Sequence, residues 1–252
     1  MTIKELIQNK ATIIAQKMAA IKHADGVAVS MGGVDNITTK AIDTNSDSIQ
    51  VKAAINTTNI LDSHGDVHIN GIWSKSLKEN KMVMHLQEHE LKFAKIISDG
   101  KDLKASAETM TFKELGYKFD GETQVLLFES TVKRERNQYM FKQYADGNVK
   151  NHSVGMRYVK LFLAVNDKDY PEELAVWNKY YPTIANKSDA DAQGYFWAVT
   201  EAKVIEGSAV PIGSNTVTPT IEVNEAGKQA TSNTIEPPEG TQKSNMILSL
   251  LN

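Results

Sequence analysis

Hydrophobic residues recur at helical spacing over the first 22 positions of the chain. They are Ile3, Leu6, Ile7, Ile13, Ile14, Met18 and Ile21, and the lysines fall mostly between them. This stripe predicts an N-terminal amphipathic helix within 1–24. Such a helix either docks on a partner or packs on its own domain. The following stretch, 25–47, is rich in Gly, Asn, Thr and Asp, which predicts a linker or an irregular loop.

From Ser48 the pattern changes to an alternation with a period of two, which is typical of half-buried strands. Several more short runs of this kind follow, up to a strand over 195–210. Residues 134–147 predict a helix, and Gly147 suits the left-handed residue that ends it. The mixture of short strands and few helices predicts an α+β fold.

The domain boundaries follow from changes in composition. Residues 48–215 are predicted to form the main domain, with an insertion at 166–194 between two strands. Within the insertion, 171–180 predicts a helix with Pro in its first turn. The polar stretch 216–252 has few aromatic residues, which predicts a flexible C-terminal tail.

Charge and composition exclude several classes of function. The 252 residues carry a net charge of −3, and the pI is about 6.1, so nothing favours nucleic acid or a membrane surface as partner. The chain has no cysteine, which rules out disulfides, thiolate catalysis and cysteine-ligated metals. No stretch approaches the ~20 apolar residues that span a bilayer, and the N-terminus lacks the apolar core of a secretory signal. We therefore expect the protein to act inside the cell that makes it.

Histidine is the first candidate for chemistry. The six histidines are His23, His64, His68, His85, His89 and His152. His85 to His89 spells H-x-x-E-H, a zinc-peptidase motif in which Glu88 would be the base. That motif needs a helix, but the neighbouring residues alternate as in a strand, where His85 and His89 share a face ~13 Å apart. This is too far for one tetrahedral metal, although a zinc site and a purely structural role both stay open here.

Ser153 is the second candidate, because it lies between the predicted helix and a strand predicted from Val154. A hydroxyl at such a junction can be exposed. If the strand includes it, Ser153, Gly155 and Arg157 point to one side. Gly155 would then leave room for a substrate backbone, and Arg157 could stabilise an oxyanion. The alternative is an ordinary turn at the edge of a strand.

Glu206 is the third candidate, because it lies in a largely apolar strand. A buried carboxylate without a partner is unstable. A histidine that becomes protonated during catalysis is one suitable partner. An ion pair with Lys or Arg is the alternative.

Four segments carry a resemblance to a known family when they are taken in order. They are Asp62–Val67 with Asn70–Trp73 (DSHGDV, NGIW), Leu86–Glu90 with Phe93–Ile96 (LQEHE, FAKI), Asp146–Gly147 with His152–Met156 (DG, HSVGM), and Glu206–Asn215 (EGSAVPIGSN). In this order they resemble the prohead, or capsid-maturation, serine proteases of tailed phages, a family related in fold to the herpesvirus assemblin protease. The resemblance covers about Ile49 to Asn215. The chain departs from the family pattern at Glu90, Ala94, Gly207 and Ser208 and in the 166–194 insertion.

The resemblance implies a catalytic site and a fold. It implies Ser153 as nucleophile, His89 as base and Glu206 as the third member. His85 is kept beside the resemblance as an alternative base. Val154, Gly155 and Arg157 are the implied oxyanion and substrate-binding residues. The fold implied is assemblin-like, with a mainly antiparallel, barrel-like β core and flanking helices.

The resemblance also implies a function. The protein would be a serine endopeptidase without cofactor or metal that cleaves the scaffold or delta segment, the major capsid protein and itself. It would act inside the prohead in the host cytoplasm, and its assemblin relatives need to dimerise, which makes a homodimer an expectation. The tail and the N-terminal helix would serve packaging and self-processing. An H-x-x-E-H zinc metallopeptidase and a non-catalytic capsid-assembly protein are the alternatives.

Overall fold

The computed structural model describes residues 2–22, 38–39, 46–80 and 82–225. The helices in these ranges are α1 (Ile3–Gln8), α2 (Lys10–Ala19), α3 (Ser74–Glu79), α4 (Gln138–Ala145), α5 (Pro171–Tyr180) and α6 (Lys187–Gln193). The strands are β1 (Ile21–Lys22), β2 (Thr38–Thr39), β3 (Ser48–Thr57), β4 (Asp66–His68), β5 (Met84–Gln87), β6 (Ile96–Asp99), β7 (Leu103–Thr111), β8 (Glu122–Lys133), β9 (Asn151–Val165), β10 (Tyr195–Val210) and β11 (Thr220–Glu225).

The strands form two sheets. The first has the order β1-β9-β10-β5-β6. β4 also belongs to it: β4 pairs with the first part of β10, and β5 pairs with the last part of the same strand. The second has the order β2-β11-β3-β8-β7. Most pairs are antiparallel, whereas β4 and β5 run parallel to β10, and β2 runs parallel to β11. The α+β class is confirmed, but the described strands do not close into the expected barrel.

The two sheets pack face to face, and their inner faces build the main core. Ile49, Val51, Ala53 and Ile55 on β3 are fully or almost fully buried, as the alternation of that strand predicts. A Cβ added to Gly207 on β10 would lie 2.6 Å from Phe128 and 2.7 Å from Ile55, which belong to the second sheet. Gly207 therefore allows close contact between the sheets, and its neighbours Glu206 and Ser208 point to the outer face of the first sheet.

The N-terminal segment packs on its own domain rather than standing apart. Its predicted helix is interrupted at Asn9, which ends α1 and caps α2. The apolar stripe packs against the main core, and Lys10 forms an ion pair of 2.6 Å with Glu173 of α5. Apart from Thr38–Thr39 and 46–47, the predicted linker 25–47 lies outside the described residues.

Other predicted elements have mixed outcomes. The helix at 171–180 is confirmed, and the helix predicted over 134–147 begins only at Gln138, where the Asn137 side chain accepts a hydrogen bond from Met140 N. Gly147 has the expected left-handed φ of 69°. The predicted tail is wrong over 216–225, because β11 pairs with β3 there, and 226–252 lie outside the described residues. No helix in the described ranges is long and apolar enough to cross a bilayer.

Candidate active site

His89, Glu206 and Ser208 form a hydrogen-bonded triangle on the outer face of the first sheet. His89 Nδ1 lies 2.6 Å from Glu206 Oε1. Ser208 donates from Oγ to Glu206 Oε2 over 2.6 Å and accepts from the His89 main-chain N–H over 3.1 Å. The Glu206 side chain is 2% exposed and that of His89 11%. A carboxylate can only accept, so an ionised Glu206 fixes the His89 proton on Nδ1 and leaves Nε2 as the basic nitrogen.

A left-handed turn after β5 brings His89 to this position. Glu88 and His89 have φ angles of 54° and 59°, which are uncommon for residues other than Gly. Glu88 N donates to Ala209 O over 3.0 Å, so the turn is tied to the end of β10. The expectation that His85 and His89 share one face of a strand is therefore wrong, because the chain leaves strand geometry after Gln87. Strained backbone of this kind is concentrated at functional sites.

Ser153 lies inside β9, directly opposite Ser208 of β10. Opposed residues of an antiparallel pair have Cβ atoms about 5 Å apart on the same face, so Ser153 shares the outer face with Glu206 and Ser208. It is only 4% exposed. The expected exposed junction is thus wrong, because β9 begins at Asn151. Within the described ranges, the Ser153 hydroxyl makes no hydrogen bond, whereas that of Ser208 makes two.

Gly155 provides space for Glu206. The two residues are paired across β9 and β10, and a Cβ on Gly155 would lie 1.9 Å from Glu206 Oε1. The expectation that Gly155 leaves room for a substrate backbone is therefore wrong in this structure. The missing side chain lets the carboxylate lie over β9, where it reaches His89.

Val154 and Arg157, the other implied substrate-binding residues, differ in their relation to Ser153. Arg157 is exposed and lies four residues further along β9, a distance of about 13 Å. The structure does not bring it to the triangle. Val154 turns its side chain into the core, so only its main chain can serve the site.

His85 belongs to a different, fully buried network between the sheets. Its Nδ1 lies 2.9 Å from Ser130 Oγ and its Nε2 3.0 Å from the Tyr144 hydroxyl. The same hydroxyl lies 2.9 Å from His152 Nε2, and His152 Nδ1 lies 3.1 Å from the Thr218 carbonyl oxygen. The expectation that His85 is an alternative base is therefore wrong, because its ring faces the core and both ring nitrogens are hydrogen-bonded there. It also cannot share a zinc ion with His89.

With both imidazoles neutral, the direction of every hydrogen bond in this network follows from the Thr218 carbonyl, which can only accept. His152 donates from Nδ1, so its Nε2 accepts from Tyr144. Tyr144 in turn accepts from His85 Nε2, and His85 Nδ1 accepts from Ser130. These directions require both imidazoles to be neutral, since a protonated imidazole donates from both nitrogens. Burial lowers the pKa of His152 to about 4, and burial together with His152 lowers the pKa of His85 well below its usual value.

Asp62, His64 and Asp66 are the one group in the described ranges whose ligand atoms could surround a metal ion, since these atoms lie within 4.8 Å of one another. The ammonium of Lys17 from α2 already supplies a cation there. It donates to Asp66 Oδ1 and, over 3.3 Å, to the His64 carbonyl oxygen. Burial and the neighbouring Asp66 raise the pKa of Asp62 well above its usual value. The group is therefore best explained as an anchor for the N-terminal segment.

A shallow cavity of about 180 Å³ adjoins the turn that carries His89. Its lining includes Gln87, Glu88, Tyr139, Val210 and Pro211. Tyr139 is 61% exposed. The cavity offers a mostly apolar recess beside Glu88, the residue before His89.

No protein-family model, curated protein or solved structure matches this chain. Function is therefore inferred from the geometry of the site itself. Sequence reasoning missed Ser208, which holds both His89 and Glu206. The available signal was its spacing, because a residue two positions after Glu206 in a strand shares its face.

Proposed function

We propose that the protein is a serine endopeptidase with Ser153 as nucleophile, His89 as general base and Glu206 as the residue that orients the base. The observation that carries the proposal is the 2.6 Å bond between His89 Nδ1 and Glu206, on the sheet face that also presents Ser153 opposite Ser208. Serine hydroxyls are poor nucleophiles unless a base lies within reach. Catalytic hydrogen bonds often tighten only when substrate binds, which is when we expect His89 and Ser153 to bond.

The chemistry follows from the position of the protons. Ser153 Oγ attacks the peptide carbonyl carbon while His89 Nε2 takes the hydroxyl proton. The tetrahedral intermediate collapses, the C–N bond breaks, and His89 gives its proton to the leaving amine. Water then hydrolyses the acyl-enzyme by the same route. Glu206 stabilises the imidazolium in both steps, and general acid–base catalysis of this kind contributes ~10²–10⁴-fold.

The oxyanion needs donors that point away from the neighbouring strand. The His152 N–H bonds to Thr218, on the side of β9 away from β10. Main-chain groups alternate along a strand, so the Val154 N–H points to the same side, next to Ser153. We propose Val154 N–H as one oxyanion donor, and the recess beside Glu88 as the subsite for an apolar substrate side chain.

We further propose that this endopeptidase is a prohead protease with an assemblin-like fold. Two facts support this: the four sequence segments occur in the family's order, and three of them supply His89, Ser153 and Glu206 to one face. The substrates would be the scaffold or delta segment, the major capsid protein and the protease itself, inside the prohead. Self-association as a homodimer belongs to the same proposal.

The burial of Ser153 favours a second candidate, a non-catalytic capsid-assembly protein that has kept the protease site. A nucleophile that is 4% exposed must become accessible before it can react. The two candidates differ in one observable, because only the protease cleaves the capsid protein.

The decisive experiment co-expresses the chain with the capsid and scaffold proteins of its phage and maps their termini by mass spectrometry. We expect cleavage with the unaltered chain and with Ser188→Ala, an exposed serine on α6, but none with Ser153→Ala. A fluorophosphonate probe should label the first two proteins only. Cleavage that survives Ser153→Ala, or that a metal chelator abolishes, would refute the proposal. Capsid assembly without any cleavage would favour the second candidate.

A further inference from the structure

The edge of β9 that faces away from β10 is covered at both ends. At one end β1 pairs with it, Ile21 opposite Arg157 and Lys22 opposite Met156. At the other end Asn151 pairs with Pro219. In the described part of the chain, this leaves a window of three residues, Ser153 to Gly155, which is about 10 Å long.

The window is too short to hold an extended peptide. Because main-chain groups alternate, only Val154 turns its N–H and C=O to this edge within the window. The next residue that does so is Met156, which is paired with Lys22. Peptides that bind as an added strand are held by successive main-chain hydrogen bonds. A peptide that passes Ser153 antiparallel to β9 therefore needs the position that β1 holds.

The helices before β1 hold it in place. Lys17 of α2 is bound to the buried carboxylate of Asp66, which also accepts from the Tyr158 hydroxyl over 2.8 Å. Tyr158 is on β9 itself, two residues beyond Met156. Lys10 adds its ion pair with Glu173. A two-residue strand pairs weakly alone, but these contacts keep its local concentration high.

We propose that residues 2–22 are an intramolecular inhibitor, in which β1 takes the place of the substrate strand on β9. The ligand that competes for this edge is an extended peptide. The proposal rests on the proposed protease function for its activity, but not for its binding. It predicts that loss of β1 pairing opens the edge from Ser153 to Arg157 without any change to the catalytic groups.

The test is the double substitution Ile21→Pro and Lys22→Pro. Lys22 lies opposite Met156, whose main chain faces this edge, and proline at position 22 has no N–H to donate there. The residue before this pair, Ala20, is already extended with a ψ of 144°, so it tolerates a following proline, and Lys17 stays in place. We expect kcat/KM for fluorescent β-casein, an unfolded chain, to rise tenfold or more, mainly through KM. Labelling by a small fluorophosphonate should change less than threefold.

The matched control is Thr38→Pro with Thr39→Pro, which breaks the other two-residue strand, β2, in the second sheet. It should leave casein hydrolysis unchanged. A second arm measures the binding of β-casein by anisotropy in the Ser153→Ala background, where no cleavage is needed. Tighter binding after loss of β1 pairing supports the inhibitor even if no variant hydrolyses casein. Absence of hydrolysis in every variant would count against the protease function, but not against the inhibitor. Equal binding with β1 paired and unpaired, in folded protein, would overturn the inhibitor.

Discussion

Gly155→Ala is the most specific probe of the site, because it adds one methyl group where the structure leaves no space for it. The new Cβ would lie 1.9 Å from Glu206 Oε1, 2.8 Å from Cδ and 3.0 Å from Cγ. Gly155 does not have a left-handed backbone, so alanine causes no conformational strain. The whole effect must come from the collision with Glu206.

The size of the effect follows from these distances. Oε1 must retreat by about 1.5 Å to reach an ordinary contact of 3.4 Å, and this breaks its 2.6 Å bond to His89. In proteases with a Ser-His-Asp triad, loss of the orienting carboxylate lowers kcat by ~10⁴. Because Glu206 is displaced rather than removed, we expect a loss of roughly 10²–10⁴-fold in kcat, with about 1–3 kcal/mol of destabilisation from overpacking.

The assay compares kcat on fluorescent β-casein with the free energy of unfolding in urea. Gly207→Ala is the matched control, since its methyl would collide with Phe128 and Ile55 on the opposite face of the sheet. We expect a similar loss of stability there but a much smaller loss of kcat. Full activity in folded Gly155→Ala, or equal losses of kcat in both variants, would refute the role given to Glu206.

Two further predictions concern stability. Unfolded imidazole titrates near 6.5, whereas His152 in the folded protein has a pKa of about 4. The unfolded state therefore takes up the proton first as pH falls, and about 3 kcal/mol of stability should be lost between pH 6.5 and 4. Urea unfolding at both pH values checks this. A His152→Gln variant that loses as much stability between the same two pH values would contradict it. Lys17→Met should cost about 3–5 kcal/mol, because it leaves Asp66 buried without its cation. The control Lys104→Met breaks an exposed ion pair with Glu129 and should cost under about 1 kcal/mol of stability. Equal losses of stability in the two variants would count against Lys17 as the anchor of the N-terminal segment.

Elements with a strong hydrophobic period were predictable from the sequence. The alternation on β3 and the helix at 171–180 follow from local preference, and both are present. β11 was not predictable in this way, because its residues Thr220–Glu225 are mostly polar and resemble a tail. They form a strand since β3 and β2 supply hydrogen-bond partners on both sides.

The candidate site was predictable in three of its members, but not in its geometry or in the part that Ser208 plays. The resemblance singled out His89, Ser153 and Glu206, and the last of these reaches His89 directly. The spacing H-x-x-E-H gave no way to separate His89 from His85. The separation comes from the left-handed turn at Glu88 and His89, which the end of β10 stabilises.

The sequence by itself determined the α+β class, the positions of the main strands along the chain and which residues of a strand share a face. These depend on neighbours within a few positions. Only the tertiary structure decided which face meets the core. Pairing of β9 with β10 puts Ser153 opposite Ser208, and contact between the sheets turns His85 and His152 inward. Strand register joins residues more than 50 positions apart, and its free energy comes from burying whole faces at once. No local pattern contains that information.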